Sequence, residues 1–374
     1  MQEAKSILRR SRSLALALTL CALPACFLAA QQPAEQSSPR YPLTVDRDPV
    51  SSPDPEPGPG QVIAKPGGQL PETVKEGSDF AFRQRVEEVV LNVTVLDEKG
   101  NLILDLKPEE FRILEDGVQQ KIRSFQRQDL PVSIGIVVDN SGSMSKKRKS
   151  VATAVLDLIK ASNPDDEAFL VNFNDRAYLD QEFTHDPAKL RDAIINLRSD
   201  GTTALYDAVV ASADELAAHA ARAKQVLVVV TDGDDNDSNV SLEDCIHKVQ
   251  QLEGPVVYSI GLLFGDEMTK KEAGHARKAL ELLSGETGGI TYEPRTLDEV
   301  DSIANEVARD IRSQYTIGYS STKPYSLGGY RKVVVEVKSK RYKKLFVRTR
   351  PGYFPLDKKD KSSAKAEQPP AEKK

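Results

Sequence analysis

Val132-Ser-Ile-Gly-Ile-Val-Val-Asp-Asn-Ser-Gly-Ser-Met-Ser145 joins two patterns that meet at a cluster of oxygen side chains. From Val132 to Val138 the run is apolar and rich in β-branched residues, as expected of a strand buried on both faces of a parallel sheet. From Ser145 to about Asn163 the pattern becomes helical, with Val151, Ala154, Val155, Leu158 and Ile159 on one face. Asp139, Ser141 and Ser143 therefore fall in the loop between a buried strand and a helix. In open α/β sheets that loop, at the carboxyl end of a strand, is where ligands bind.

The Asp139-x-Ser141-x-Ser143 spacing resembles the signature of the von Willebrand factor A (vWA) domain, and the resemblance spans roughly Pro131 to Arg312. It implies a metal-ion-dependent adhesion site completed by a Thr and an Asp from two later loops. Thr203, in Gly-Thr-Thr-Ala-Leu-Tyr-Asp, and Asp232, in Val-Val-Val-Thr-Asp-Gly, stand at those places and in that order. The resemblance makes Ser141 and Ser143 direct ligands, with Thr203, Asp139 and Asp232 binding directly or through water. Such hard oxygen donors suit Mg²⁺, and Mn²⁺ or Ca²⁺ could substitute. Two carboxylates would leave the ion electrophilic and able to accept a further carboxylate from a partner macromolecule.

Strand and helix patterns alternate beyond this stretch. Apolar runs at 169–173, 226–231 and 256–263 predict buried strands, and 178–183 a shorter edge strand. Helical patterns cover about 187–197, 203–220, 241–253, 269–285 and 297–312, the last opened by Thr296-Leu-Asp-Glu299 as a capping box. The expected class is α/β, a doubly wound, mostly parallel, Rossmann-like sheet with helices on both faces.

Strand patterns also flank this span. Val89, Leu91, Val93 and Val95 alternate with their neighbours, and Phe111–Leu114 with Val118–Phe125 read as a hairpin around Glu115-Asp116-Gly117. After the span, 315–319, 331–338 and 344–349 read as strands. Neither side is long enough for its own core, so residues 85–128 and 313–355 are expected to pair into a smaller β-sandwich-like module, with the vWA span (131–312) inserted between them. That layout, including Glu-Asp-Gly-Val-Gln-Gln-Lys-Ile and Arg-Thr-Arg-Pro-Gly-Tyr-Phe, resembles a bacterial family of secreted VWFA-related domain proteins.

Residues 1–30 read as a secretory signal: Lys5, Arg9, Arg10 and Arg12 precede an apolar stretch from Leu14 to Ala25, too short to span a membrane. Cleavage after Ala30 is expected, giving a periplasmic or extracellular protein. Leu23-Pro-Ala-Cys26 also resembles a lipoprotein site, so a lipid anchor at Cys26 is the alternative and the sole expected route to a membrane. Residues 31–78 hold ten of the 22 prolines and read as a flexible tether. Residues 356–374 read as a disordered charged tail.

Composition narrows the chemistry. The net charge is −5, and the absence of a basic, aromatic-interleaved surface argues against nucleic acid. Once a signal is removed, Cys245 is the sole cysteine, so no internal disulfide is expected. His185, His219, His247 and His275 form no zinc motif, and no Gly-x-Ser-x-Gly elbow is present. The acidic run Asp232–Asp237 fails calcium-loop spacing, because the sixth position is Asp237 rather than Gly, and is expected to be a solvated loop. The leading expectation is an exported, non-enzymatic adhesion module. The alternatives are a scaffold with a structural metal and a metal-dependent hydrolase with Ser141 as nucleophile.

Overall fold

The computed structural model describes residues 41–42, 88–127, 129–195, 200–251, 254–264 and 268–355. In chain order, β1 is Tyr41–Pro42, β2 Glu88–Leu96, β3 Phe111–Glu115, β4 Val118–Gln120 and β5 Ile122–Gln126. An alternating series follows: β6 (Val132–Asp139), α1 (Arg148–Ala161), β7 (Glu167–Phe173), β8 (Ala177–Thr184), α2 (Pro187–Ile195) and α3 (Leu205–His219). It continues with β9 (Lys224–Thr231), α4 (Leu242–Val249), β10 (Val256–Gly261), α5 (Lys270–Gly285), β11 (Thr291–Tyr292) and α6 (Val300–Arg312). Last come β12 (Tyr315–Ser320), β13 (Arg331–Val337), β14 (Phe346–Arg348) and β15 (Gly352–Tyr353).

The α/β class read from the sequence is the fold observed. A sheet of order β1-β8-β7-β6-β9-β10-β11 has β6 at its centre, and β7, β6, β9, β10 and β11 run parallel. All eight residues of β6 are buried, because helices cover both faces. Ile134, Ile136 and Val138 pack with α1, α2 and α6, while Val137 packs with α3, α4 and α5. Gly135 is required on the second face, where a Cβ would stand 2.5 Å from both Leu227 Cδ2 and Phe169 Cζ.

The strands before β6 and after α6 build two antiparallel four-stranded sheets, β14-β2-β12-β5 and β15-β13-β3-β4. They enclose one core, to which Leu91, Val93, Phe111, Ile113, Tyr315 and Ile317 contribute. β5 leads into the α/β domain and β12 leads out of it, and the two are hydrogen-bonded neighbours, Thr316 opposite Gln126. The inserted domain thus hangs from adjacent strands.

Some local expectations change. Val118–Phe125 is not one arm of a hairpin: β4 pairs with β3, and past Lys121 the chain crosses to the other sheet, where β5 pairs with β12. β8 is not short but eight residues long, with β1 outside it opposite Leu179 and Tyr178. Its charged residues and two register shifts against β7 mask its length in the sequence. The Thr296 box does not form: Glu299 Oε2 accepts from Arg295 N at 2.8 Å, and a 3₁₀ turn precedes α6. Residues 1–30, the tether apart from 41–42, and the tail 356–374 lie outside the described residues.

Candidate functional site

Each oxygen singled out in the sequence lies at the carboxyl end of the parallel strands. Asp139 is the last residue of β6, Ser141 follows it, and Ser143 lies in a 3₁₀ turn, Gly142–Lys146, that delays α1 to Arg148. Asp232 directly follows β9, and Thr203 lies in the extended loop before α3.

Backbone bonds lash these loops together. Asn140 N donates to Phe173 O at 2.7 Å, Asp200 N to Asn140 O at 3.0 Å and Ala204 N to Asn174 O at 2.6 Å. Thr203 N donates to Asn236 Oδ1 and Asn236 N to Thr203 O, both at 3.0 Å.

The side chains form a connected chain. Ser141 N donates to Asp139 Oδ1 at 2.8 Å, the Ser141 and Ser143 hydroxyls lie 3.1 Å apart, and Ser143 Oγ donates to Asp232 Oδ1 at 2.7 Å. Thr203 lies across Gly233 from Asp139: a Cβ on Gly233 would stand 3.3 Å from Thr203 Oγ1 and 3.8 Å from Asp139 Oδ2. Asp139 and Asp232 are only 2% and 4% exposed. Burial, aided by the charge of Asp232, pushes the Asp139 carboxyl up to about 6, against hydrogen bonds from Thr231 and Ser141 that favour its ionised form.

Two further residues complete the site. Thr231 Oγ1 donates to Asp139 Oδ2 at 2.6 Å, and Lys147 Nζ donates to Asp232 Oδ2 at 2.8 Å. Neither was singled out by sequence reading. Thr231 closes an apolar strand pattern, and Lys147 sits in Lys146-Lys147-Arg148-Lys149, which looks like solvated charge.

The acidic run is more tied down than a solvated loop. Asp235 accepts from Ser238 Oγ at 2.6 Å, Asp237 from Thr202 Oγ1 at 2.6 Å, and Asp234 lies 2.6 Å from His275 Nδ1. Asn236 and Asp237 tie it to the Thr202–Thr203 loop. The histidines are scattered: His185 meets Asp166 O, His219 meets Glu215, and His247 packs edge-on to Phe354. Cys245 is fully buried, and burial pushes its thiol up, so it packs rather than reacts.

The donor set fits a hard divalent ion. Among the described residues no group of three or more His, Cys, Asp or Glu side chains is placed to hold a metal. A cation held by the five residues read from the sequence would rest on two carboxylates and three hydroxyls, a set suited to Mg²⁺ and poor for softer metals. A cavity of about 270 Å³ opens beside it, lined by Ser143, Lys147, Thr203, Asp232, Asp234 and Glu272. The larger cleft, about 670 Å³, lies elsewhere, between α4, α5 and the 351–354 segment, and none of the five oxygens lines it.

Residues 134–234, which contain all five positions, match the von Willebrand factor type A domain. The chain carries a vWA domain. Solved structures similar to it include the PilB minor pilin from Streptococcus sanguinis, at 18% identity and TM-score 0.39, covering 50% of this chain and 62% of that one. A von Willebrand factor type A protein from Catenulispora acidiphila is 14% identical, with TM-score 0.42, over 68% of this chain and 76% of that one. The vWF domain of the type V pili tip protein Mfa5 from Porphyromonas gingivalis is 14% identical, with TM-score 0.38, over 49% and 97%. The chain thus spans less than two thirds of the pilin's length. No curated protein matches it. No helix among the described residues is long and apolar enough to cross a membrane.

Proposed function

We propose that this protein is an exported, non-enzymatic adhesion module whose vWA domain engages an acidic group of a partner macromolecule through a divalent ion, Mg²⁺ by preference. The observation that carries this reading is the Ser141–Ser143–Asp232 hydrogen-bonded chain, which brings oxygen side chains from two loops, 89 residues apart at the Ser143–Asp232 link, beside an open cavity. Ser141, Ser143, Thr203, Asp139 and Asp232 would hold the ion. When bound, the ion supplies an electrophilic coordination site for an incoming carboxylate. The surrounding bonds hold the residues that would orient it: Ser141 N and Thr231 Oγ1 each donate to one oxygen of Asp139, and Asn236 clasps the Thr203 backbone.

The hydrolase alternative finds less support, because a serine nucleophile needs an adjacent base. Among the described residues no histidine bonds to Ser141, whose hydroxyl faces that of Ser143.

The test is capture of surface proteins by the immobilised chain in Mg²⁺ or in EDTA. Capture should require the metal and vanish in Asp139→Ala, while circular dichroism shows the fold intact. Capture that persists in EDTA and in Asp139→Ala would overturn the reading.

A further inference from the structure

Lys147 is a cation in a place that disfavours one. It is the N-cap residue of the fourteen-residue helix α1, where the backbone amides already present partial positive charge. It is also only 7% exposed, and a buried ammonium is costly unless paired. Several groups hold it there. Asp232 Oδ2 accepts from Nζ at 2.8 Å, Leu262 O lies at 3.4 Å, and the Phe264 ring centroid is 5.5 Å away. Asp232 supplies a full negative charge, and its own side chain is completely buried.

Asp232 is also one of the two carboxylates available to a divalent ion. Its Oδ1 accepts from the Ser143 hydroxyl and its Oδ2 from the ammonium, so both of its oxygens are already engaged. An incoming ion must compete with a tethered charge that is already in place. The same cavity offers that charge somewhere to go. Asp234 lines it, as Lys147 does, and Asp234 Oδ1 is buried without a hydrogen-bond partner, although its Oδ2 faces His275. A buried carboxylate oxygen left without a donor is costly and attracts one.

We propose that Lys147 is a built-in competitor of the metal. Its ammonium neutralises Asp232 when no ion is bound and moves toward Asp234 Oδ1 when one enters. The proposal rests on the metal-dependent reading of the site. It makes the vWA domain stable without metal and sets a threshold of divalent-ion concentration below which the adhesion face stays closed. The threshold exists because displacement of one cation by another is an exchange, so the apparent metal affinity is the intrinsic affinity multiplied by the fraction of molecules in which the lysine has left Asp232.

The experiment uses the full chain with Mn²⁺ as the probe. The wild type, Lys147→Met and Lys147→Gln are purified in Mn²⁺ and titrated against a competing chelator, so a variant that does not fold without metal is still measured. Both variants should bind Mn²⁺ about tenfold or more tightly than the wild type, since a unit charge close to the ion has been removed. In EDTA both should melt below the wild type, and in Mn²⁺ they should recover. Asp234→Asn should bind Mn²⁺ more weakly than the wild type, because the displaced ammonium loses its destination. Equal Mn²⁺ affinity in the wild type and the Lys147 variants overturns the competitor role and leaves the metal-dependent reading standing. No Mn²⁺ binding by any of the proteins overturns both. Unchanged affinity in Asp234→Asn, with tightening in the Lys147 variants, overturns the displacement toward Asp234.

Discussion

Thr231 Oγ1 donates to Asp139 Oδ2 at 2.6 Å, tying the last residue of β9 to the last residue of the central strand β6. Both residues are buried, so the carboxylate depends on this bond in place of water. Thr231→Val keeps the side-chain shape and removes the donor. A hydrogen bond to a buried charged group contributes about 2 kcal/mol. Thr231→Val should therefore lower the unfolding free energy in EDTA by about that amount, measured by urea denaturation. A change of under about 0.5 kcal/mol, the range of inert surface substitutions, would show that the bond does not matter.

Gly135 offers a test of packing across the central strand. An added methyl would collide with Leu227 Cδ2 and with the rigid ring of Phe169 at 2.5 Å. Both neighbours are fully buried and cannot move outward. Gly135→Ala should cost about 1–3 kcal/mol, the usual range for overpacking a tight core. Stability equal to that of the wild type would mean that β6 and β7 shift apart easily.

Much of this was legible because its signals are local and redundant. The β-branched run before Asp139, the periodic face of α1 and the order of the later apolar runs all point to one doubly wound sheet, and the strand-end loops follow from it. Lys121 was not legible, because a crossing between sheets leaves no period in the sequence, just two short strands on either side of one exposed residue. Thr231 and Lys147 were missed for a related reason. Their roles depend on burial and on partners 92 and 85 residues away, and a lysine in a basic run gives no sign that its ammonium is turned inward. Thr296 and Glu299 have capping-box spacing, yet Glu299 is taken by Arg295 N instead.

β12 lies between β2 and β5, both from the other side of the inserted domain. A chain beginning at Asp129 would leave β12 without either neighbour. Hydrogen exchange should then show amides of 315–320 losing protection, while those of β6 and β9 keep theirs because their partners lie within the insert. Retained protection at 315–320 would show that the C-terminal strands fold by themselves.

Lys224 gives a pH dependence whose sign is fixed. Burial lowers its ammonium from 10.5 to about 8, against the pull of Asp310, Asp129 and Asp166, and its Nζ donates to Ile311 O at the end of α6. Below about pH 8 folded and unfolded chains both hold the proton, and the folded chain bears the cost of the buried charge. Between about 8 and 10.5 the unfolded chain holds more protons, so stability rises with pH. Relative to Lys224→Met, the wild type should gain about 3 kcal/mol between about pH 7.5 and 10.5. A flat difference across that range would mean that Lys224 keeps its proton in the folded chain.

Asp310 couples the inserted domain to the β-module. Its Oδ2 accepts from the Tyr258 hydroxyl on β10 at 2.5 Å and from Arg348 on β14, and Thr94 Oγ1 on β2 lies 3.4 Å from Oδ1. Tyr258 is completely buried, and burial together with the Asp310 charge pushes its phenol well up, so the hydroxyl keeps its proton and remains a donor. Arg348 has a side chain 21% exposed and depends on Asp310 for its countercharge. Asp310→Asn preserves shape but leaves that guanidinium uncompensated, which should cost about 3 kcal/mol, the range for breaking a buried ion pair from one side. Arg348→Met in the same chain removes the stranded charge and should return part of the loss, because residues in one network do not contribute additively. Urea denaturation of the wild type, both single variants and the double variant measures this coupling. Purely additive losses would show that Asp310 and Arg348 stabilise the junction independently, and that Tyr258 and Thr94 carry the contact between α6 and the β-module.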